Sequence, residues 1–317
     1  GKTTTIAELI HQAVHVHKLR VLVAAPSNVA VDNVLERLVM SPHNSKSTKK
    51  SKKMNHGKRA AADHRALRAV RIGHPARIKA SILAYSLESL VQNADGTEIV
   101  ADVRRELQSF LRIASNPKSR YADKRAAYRE IKALRREIRT REEKVVHELI
   151  SQAQVVLATN VGAANRILDR MSTDGPNGKG KTGFDLVVID EAAQALEASC
   201  WIPILRGKRL VLAGDHCQLP PTIKSNINAV QKGLGKTLFE RIMEMYKEDS
   251  RGVGQVSRML QVQYRMHQDI ADWASDAMYK GELRTNEDVK LRTLSQLQHV
   301  QEKLSVDECG DDSIIGR

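Results

Sequence analysis

Five short apolar runs constrain the fold of this 317-residue chain more than any other feature. Each run is rich in β-branched residues and nearly continuous rather than alternating, which is typical of strands buried on both faces of a parallel sheet. The runs are Val21–Ala25, Val155–Ala158, Leu186–Ile189, Leu210–Ala213 and Met259–Val262. We therefore expect all five to be strands of one parallel sheet.

Helical periodicity follows several of these runs. Apolar residues recur at helical spacing in Thr3–His17 and Val29–Val39, and Ala76–Val91 also has helical character. Alternating strands and helices predict a doubly wound α/β domain.

Two longer helical patterns predict a hairpin inserted into this domain. One pattern is Ile99, Val103, Leu107 and Leu111, and the other is Tyr128, Ile131, Leu134, Ile138, Val145 and Leu149. We expect the two apolar stripes to pack on each other and the arginines to remain outside. Those arginines are Arg104, Arg105, Arg125, Arg129, Arg135, Arg136 and Arg139.

The positive charge is concentrated in the same part of the chain. The net charge is +14, and residues 41–147 hold 26 Lys and Arg against 11 Asp and Glu, whereas the rest holds 25 against 26. A basic segment inside a neutral core indicates a polyanionic partner, most simply nucleic acid. A solvated, arginine-rich helical surface remains the alternative.

Composition gives no sign of a membrane-spanning segment or of a cysteine metal site, and it marks two segments as loops. No apolar run approaches the roughly 20 residues that span a bilayer. The three cysteines lack metal-ligand spacing and are expected to be reduced thiols of an intracellular protein, cytoplasmic and/or nuclear. Ser41–Arg59 is predicted to be a disordered loop; Lys49–Lys53 within it could be a nuclear-localisation signal, although a solvated linker is favoured. Ser172–Gly183 is predicted to be a mobile connection.

Polar motifs follow four of the predicted strands. Pro26-Ser27-Asn28, Thr159-Asn160, Asp190-Glu191 and Gly214-Asp215 each come directly after an apolar run. In open α/β sheets, ligands bind outside the carboxyl ends of the strands. These motifs are therefore expected at one edge of the sheet.

The first residues match the second half of a phosphate-binding loop. Lys2 can approach the β- and γ-phosphates of a nucleotide, and the Thr3 hydroxyl can bind Mg²⁺. Thr4 and Thr5 begin a helix whose N-terminal amides favour anions. We expect the front of this loop to precede Gly1 in a longer protein.

The Asp190-Glu191 pair supplies two carboxylates with different predicted roles. Adjacent residues on an extended chain point in different directions, so Asp190 would hold magnesium and Glu191 would accept a proton from the attacking water. The alternative is that both only cap the next helix.

Two further strings supply polar groups. Gln218 can donate and accept hydrogen bonds together, as a residue that orients water must. His216 and Cys217 are not predicted to bind metal, because no second Cys/His pair stands nearby. Tyr264 and Arg265 offer an aromatic face for a base and a guanidinium for phosphate.

Taken in order, GKT, APSNVAVDNV, VVLATN, VVIDEAAQALE, GDHCQLPP and QYRMH resemble the superfamily 1 helicases of the up-frameshift-type branch. The resemblance covers essentially all of residues 1–285 except the two loops. It implies a RecA-like P-loop NTPase domain, the cofactors ATP and Mg²⁺, and 5′→3′ movement on single-stranded RNA or DNA. It also implies association with ribosomes or RNPs.

The resemblance also implies roles for single residues. Gln218 would couple the γ-phosphate to strand position, Tyr264 would stack on adenine, and Arg265 would contact the γ-phosphate. Gly1, Lys2, Thr3 and Thr4 would belong to the nucleotide loop. The residues expected to touch the nucleic-acid backbone are Pro26, Ser27, Asn28, Thr159 and Asn160.

The expected organisation has five parts. Residues 1–40 and 153–285 form the RecA-like domain, 41–74 a basic loop and return strand, 75–152 the helical insertion, and 286–317 a linker toward a second RecA-like domain after Arg317. Residues 1–317 alone are therefore expected to be inactive. Two alternatives remain: a nucleic-acid-binding module without hydrolysis, and a P-loop ATPase that moves no nucleic acid.

Overall fold

The computed structural model describes residues 1–40, 67–94, 97–116, 120–169, 183–224, 229–247, 256–293 and 296. The chain divides into two compact units, residues 3–248 and residues 249–317 with Gly1 and Lys2, and each is described by itself. The predicted loop at 41–59 with its nuclear-localisation candidate, nearly all of the connection at 172–183 and most of the linker at 286–317 lie outside the described residues.

A five-stranded parallel sheet forms the centre of the first unit, as the sequence predicts. Its strands are β1 (Val21–Ala25), β2 (Ala69–Arg71), β3 (Val155–Thr159), β4 (Leu186–Ile189) and β5 (Leu210–Leu212), in the order β2-β3-β1-β4-β5. Every residue of β1, β2 and β4 is buried, which explains why β1 and β4 are apolar throughout.

One predicted strand is wrong and another is only partly anticipated. Met259–Val262 does not join this sheet: β6 (Val262–Gln263) pairs in parallel with β7 (Arg284–Thr285) in the second unit. Met259 and Leu260 are more than 40% exposed, so their apolar character does not mark a buried strand. The fifth strand of the large sheet is instead β2, which lies at one edge and falls within the predicted return segment of residues 41–74.

Ten α-helices lie within the described residues. They are α1 (Lys2–His15), α2 (Asn28–Met40), α3 (Leu87–Gln92), α4 (Thr97–Ser115), α5 (Tyr121–Gln152), α6 (Arg166–Asp169), α7 (Glu197–Ile204), α8 (Leu238–Lys247), α9 (Gln268–Met278) and α10 (Glu287–Lys290). Short 3₁₀ helices cover Pro75–Arg77, Ala80–Tyr85, Gly162–Ala164 and Ala192–Gln194, and Val230–Leu234 is a π-helix. No described helix is both long and apolar enough to cross a membrane.

Helices cover both faces of the sheet. Ile10 of α1 and Leu35 of α2 belong to the core on one face, together with Val23 of β1. Ile150 of α5 and Leu238 of α8 belong to the core on the other face. The alternation of strand side chains between these two cores is the doubly wound arrangement that the sequence predicts.

The predicted hairpin is confirmed, with one correction to its stripe. Helices α4 and α5 lie against each other, and Ile131 and Leu134 are buried between exposed arginines. Tyr128, however, is 61% exposed, whereas Ala127 is buried. The buried stripe passes through positions 127, 131 and 134, so Tyr128 points about 100° away from it around the helix.

The helix predicted over Ala76–Val91 is wrong as a single element. The backbone is extended at Lys79 (ψ 140°) and at Ser86 (ψ 142°), so two 3₁₀ helices and α3 replace it. The Ser86 hydroxyl accepts a hydrogen bond from the Ser89 N–H at 3.2 Å and thereby caps α3.

Arg20 fixes the end of α5 to the sheet. Its guanidinium donates to the carbonyls of Ile150 and, at 3.2 Å, Ala153, and it lies 5.1 Å from the centre of the Phe184 ring. The insertion is therefore fastened to the amino end of β1, opposite the edge that carries the motifs.

Candidate functional site

The parallel register brings the motifs to one edge of the sheet. Ala25 is paired with Thr159, and Ala24 is paired with Ile189. The Asn160 N–H donates to the Ala25 carbonyl at 2.8 Å, and the Asp190 N–H donates to the Ala24 carbonyl at 2.9 Å. The segments after β1, β3 and β4 therefore start side by side, as expected from the topology.

The carboxylate pair turns sharply at the end of β4. Asp190 is 2% exposed, and its Oδ1 accepts a hydrogen bond from the Glu191 N–H at 2.9 Å. Glu191 is half-buried and left-handed, with φ 51° and ψ 39°, and it precedes the 3₁₀ helix Ala192–Gln194. The backbone therefore turns at Glu191, whereas the sequence argument assumed an extended chain through the pair.

A backbone hydrogen bond joins the Asp190-Glu191 segment to the next motif. The Ala192 N–H donates to the Ala213 carbonyl at 2.8 Å. Gly214 passes so close that an added Cβ would lie 2.8 Å from the Ala193 nitrogen. Only glycine permits this approach, which holds the Gly214–Gln218 loop beside the two carboxylates.

Asp215 orients Gln218, a role that the sequence analysis missed. The Gln218 Nε2 donates to Asp215 Oδ2 at 2.6 Å. A carboxylate can only accept, so the amide nitrogen faces Asp215 and the amide oxygen faces away from it. The exposed Gln218 can thus accept a hydrogen bond from water, and an aspartate three residues earlier in a turn was the available signal.

Asp215, His216 and Cys217 bring three possible metal donors within 4.8 Å of one another. Both Asp215 oxygens already accept hydrogen bonds, from the Cys217 N–H and from Gln218. Burial raises the pKa of the Cys217 thiol, which disfavours the thiolate that binds metals. The sequence prediction of no metal at this loop stays a prediction. Burial also raises the pKa of the free thiol Cys200 to about 11.

The predicted nucleic-acid residues lie at the ends of β1 and β3. Pro26 and Ser27 follow β1, and the Ser27 hydroxyl caps α2 by accepting from the Ala30 N–H at 3.2 Å. Asn28 and Thr159 are half-buried and line one groove. Asn160 is only 1% exposed, so its contact with a nucleic-acid backbone stays a prediction.

A fully buried arginine stands behind Asn28, and the sequence analysis missed it. Arg71 is 0% exposed, and its Nε donates to Asp32 Oδ1 at 2.9 Å while its Nη2 donates to Asn28 Oδ1 at 2.8 Å. The other Asp32 oxygen accepts from the Lys79 N–H at 3.1 Å. An arginine inside the short β2 strand was the only available signal.

The predicted phosphate-loop residues form the start of α1. Gly1 precedes the helix, and Lys2, Thr3 and Thr4 occupy its first turn, which contains no acidic side chain. An N-terminal turn without carboxylates leaves the helix dipole available for an anion. Phosphate and Mg²⁺ binding by these residues stay predictions.

In the second unit, Gln263 shapes the turn that carries Tyr264 and Arg265. Its Oε1 accepts from the Arg265 N–H at 2.7 Å and the Met266 N–H at 2.8 Å, and its Nε2 donates to Thr285 Oγ1 at 2.9 Å. Tyr264 is 56% exposed, and Arg265 is also exposed. The turn therefore presents both side chains outward, and Gln263 is a positioning residue that the sequence analysis missed.

Comparisons with known proteins agree with this architecture. A model of an AAA domain family matches residues 1–226, and a second AAA domain model matches residues 234–309. The DNA-binding protein SMUBP-2 of Rattus norvegicus is 42% identical over 302 residues, which is 95% of this chain and 26% of the relative. The DNA polymerase alpha-associated DNA helicase A of Schizosaccharomyces pombe is 35% identical over 95% of this chain and 38% of its own length.

A third similar protein is also a helicase by name. The ATP-dependent helicase NAM7 of Saccharomyces cerevisiae is 30% identical over 93% of this chain and 24% of its own length. The chain thus spans between about a quarter and two fifths of these relatives. Because the first family model alone matches residues 1–226, the chain belongs to the AAA domain family, as a RecA-like motor domain of the superfamily 1 helicases in their up-frameshift-like branch.

Proposed function

We propose that the complete protein is an ATP-dependent helicase that moves along single-stranded nucleic acid, with this chain as part of its motor. The main support for the proposal is that two motifs lie side by side at the ends of adjacent strands. The carboxylates after β4 and the Gln218 loop after β5 are held together by the 2.8 Å hydrogen bond from Ala192 to Ala213. A nucleotide-sensing amide is thereby fixed beside the residues proposed for hydrolysis.

The nucleotide side of the proposal uses the start of α1 and the end of β4. Hydroxyl and carboxylate oxygens are ligands that Mg²⁺ prefers, so Thr3 and the buried Asp190 fit a nucleotide-bound Mg²⁺. When bound, Mg²⁺ neutralises charge on the β- and γ-phosphates. Lys2 binds those phosphates, and Glu191 accepts the proton of the attacking water.

Gln218 links the two parts of the cycle. Its amide oxygen faces away from Asp215 and can accept from the attacking water or respond to loss of the γ-phosphate. Tyr264 and Arg265, presented by the Gln263 turn, are proposed to stack on adenine and to contact the γ-phosphate. This assignment rests on the family resemblance and on their exposure.

The nucleic-acid side lies on the same edge of the sheet. Asn28 follows β1 and Thr159 ends β3, which is the direct neighbour of β1. Because β1 also neighbours β4, motion at the nucleotide carboxylates has a short, rigid route to the residues that would hold the strand. We propose 5′→3′ movement, association with ribosomes or RNPs, and a cytoplasmic and/or nuclear location from the resemblance alone.

Strand displacement by the complete protein tests this function. The wild type should separate a labelled duplex that carries a 5′ single-stranded overhang, in the presence of ATP. Glu191→Gln should bind ATP with unchanged affinity but displace the strand about a hundredfold more slowly, because the general base is lost. Glu106→Gln, the same change on the exposed surface of α4, is the matched control.

Two outcomes would count against the proposal. Normal ATP turnover by Glu191→Gln would remove this residue as the base. ATP turnover by the wild type without displacement of any overhang duplex would reject the helicase assignment.

A further inference from the structure

The amino edge of the large sheet, where its strands begin, carries positive charge that the count along the chain conceals. Outside residues 41–147, the numbers of basic and acidic residues are nearly equal, 25 against 26. The described segments that lead into the five strands nevertheless contain six Lys and Arg against one Asp. These segments, together called the basic edge, are residues 16–20, 67–68, 153–154, 183–185 and 205–209.

Backbone hydrogen bonds set these segments side by side within the first unit. The Gln154 N–H donates to the Arg68 carbonyl at 2.9 Å, and the Val21 N–H donates to the Gln154 carbonyl at 2.9 Å. The Asp185 N–H donates to the Arg20 carbonyl, also at 2.9 Å. In the strand order β2-β3-β1-β4-β5, the basic edge is therefore a row of four strand spacings, about 19 Å long.

Two charged groups in this row stabilise the fold. The Arg20 guanidinium donates to the carbonyls of Ile150 and Ala153. Asp185 Oδ1 accepts from Lys208 Nζ at 3.0 Å, and its Oδ2 accepts from the Arg20 N–H at 3.1 Å. The carboxylate of the basic edge is thus already bound by groups of this chain, and it holds Lys208 in place.

Three other cations of the basic edge have no such partner. Lys18, Arg68 and Arg209 are exposed, and none of them forms an ion pair with a carboxylate in the parts of the chain that the structure describes. Arg206, by contrast, is paired with Asp169 at 2.7 Å. Cations spread along one edge without counterions create a positive potential that favours an anionic ligand.

The other side chains of the basic edge favour a protein over a nucleic acid as this ligand. Val16 is 69% exposed and Leu205 is 75% exposed, whereas Phe184 is 1% exposed and cannot stack on a base. A phosphodiester strand carries charge at every residue and would also have to pass Asp185. A peptide can instead place carboxylates against the cations and aliphatic side chains against Val16 and Leu205.

We propose that the basic edge binds an extended acidic segment of a partner protein that also carries aliphatic side chains. Lys18, Arg68, Lys208 and Arg209 bind its carboxylates, and Leu205 packs against an aliphatic side chain. A segment of about six residues spans the row at about 3.3 Å per residue. The basic edge lies opposite the nucleotide motifs, so the proposal goes beyond the proposed function and does not depend on it.

Binding to the complete protein is measured by fluorescence anisotropy with defined probes. The first is a labelled peptide of about eight residues, long enough for the row, with glutamates between two terminal leucines. The second has glutamine in place of every glutamate, and the third is labelled oligothymidylate. The wild type should bind the glutamate peptide about tenfold or more tightly than the glutamine peptide.

Charge reversal on the basic edge is the main variant. The double variant Arg68→Glu, Arg209→Glu should weaken binding of the glutamate peptide about tenfold or more. Arg112→Glu, Arg129→Glu is the matched control, because it makes the same change at two exposed arginines of the helical hairpin. The control should stay within about twofold of wild type.

Two single variants separate binding from folding. Lys18 has φ 53°, a conformation that glycine adopts without strain, so Lys18→Gly removes a cation without destabilising the chain. It should weaken peptide binding about threefold, while the melting temperature stays equal or rises. Leu205→Gln should also weaken binding about threefold, because an apolar contact is lost.

The possible failures are distinct. Equal affinity of the wild type for both peptides, or an equal loss in the control double variant, would overturn the inference. Unchanged peptide binding with a lowered melting temperature in the Arg68, Arg209 variant would mean that these cations serve stability alone. Loss of oligothymidylate binding without loss of peptide binding would assign the basic edge to nucleic acid instead. In each case strand displacement by the wild type, which tests the proposed function, is unaffected.

Discussion

At the residue scale, the end of β4 carries a conformation that few side chains adopt. Glu191 is left-handed, which costs a non-glycine residue about 1–2 kcal/mol. The flanking hydrogen bonds, from Glu191 N–H to Asp190 and from Ala192 N–H to Ala213, hold it there. Strained backbone of this kind accumulates at functional sites, which agrees with a catalytic role for Glu191.

Gly214 allows the Gln218 loop to pass close to the backbone at Ala193. We predict that Gly214→Ala impairs both stability and turnover. The added Cβ would lie 2.8 Å from the Ala193 nitrogen, so the Gln218 loop must move away from Glu191. We expect a loss of about 1–3 kcal/mol in the free energy of unfolding, together with slower ATP hydrolysis. Denaturation and turnover of the complete protein measure both effects.

Gly235→Ala is the control for this prediction. A Cβ on Gly235 would meet only the Ile223 side chain at 3.5 Å and that of Val230 at 3.8 Å, which is ordinary van der Waals contact. This variant should therefore behave like wild type. If Gly214→Ala matches it in stability and in turnover, the close approach has no functional importance.

At the scale of elements, the short β2 strand depends on an ion pair that is buried away from water. Arg71 and Asp32 are 2.9 Å apart, with side chains 0% and 2% exposed. The pair joins β2 to α2, and through Asn28 and Lys79 it also fixes the segments that follow β1 and β2. Removing one partner would leave the other charge buried without compensation.

We therefore predict that Arg71→Met destabilises the protein by about 3–5 kcal/mol, because Asp32 loses its counterion. The double variant Arg71→Met, Asp32→Leu should recover part of this loss, since no unpaired charge remains buried. Midpoints of urea denaturation of the complete protein provide the comparison. Equal midpoints for the single variant and wild type would show that the pair contributes nothing to stability.

This pair also shows where sequence reasoning succeeds and where it stops. The runs at β1 and β4 were predictable because strands buried on both faces must be apolar throughout. The residues of β2 were not, because Arg71 depends on Asp32 and Asn28, about forty positions earlier in the chain. Local pattern contains no information about such a partner.

The same limit applies to the candidate site. That the motifs share one edge follows from parallel topology and could be predicted. Other features depend on individual hydrogen bonds and could not be predicted. They are the left-handed turn at Glu191, the orientation of Gln218 by Asp215, and the turn at Tyr264 that Gln263 stabilises. Met259–Val262 failed for a related reason: an apolar run alone does not reveal whether its residues are buried.

At the scale of the whole molecule, the distribution of charge is as informative as its total. On α5, the residues Arg125, Arg129, Lys132 and Arg136 lie on the helix face opposite the buried stripe and are mainly exposed. Among the described residues, no carboxylate forms an ion pair with any of these four. By contrast, Arg105 pairs with Asp102, and Arg141 pairs with Glu137 at 2.6 Å.

We predict that the unpaired face binds phosphates. Replacing Arg129 and Arg136 with Gln should weaken single-strand binding equally for different base sequences. It should also flatten the plot of log affinity against log salt by up to about one unit per lost phosphate contact. The double variant Arg105→Gln, Arg141→Gln removes the same charge from paired arginines and should change the slope less. Equal slopes for both double variants would favour the solvated-surface alternative.

In the proposed motor, nucleic-acid binding and ATP hydrolysis are coupled through the edge formed by β1, β3 and β4. This coupling is measured as the ATP turnover of the complete protein while the concentration of a single strand is raised. We expect a saturable rise in turnover that Glu191→Gln abolishes. Turnover that stays constant while the strand demonstrably binds would show that the two are not coupled.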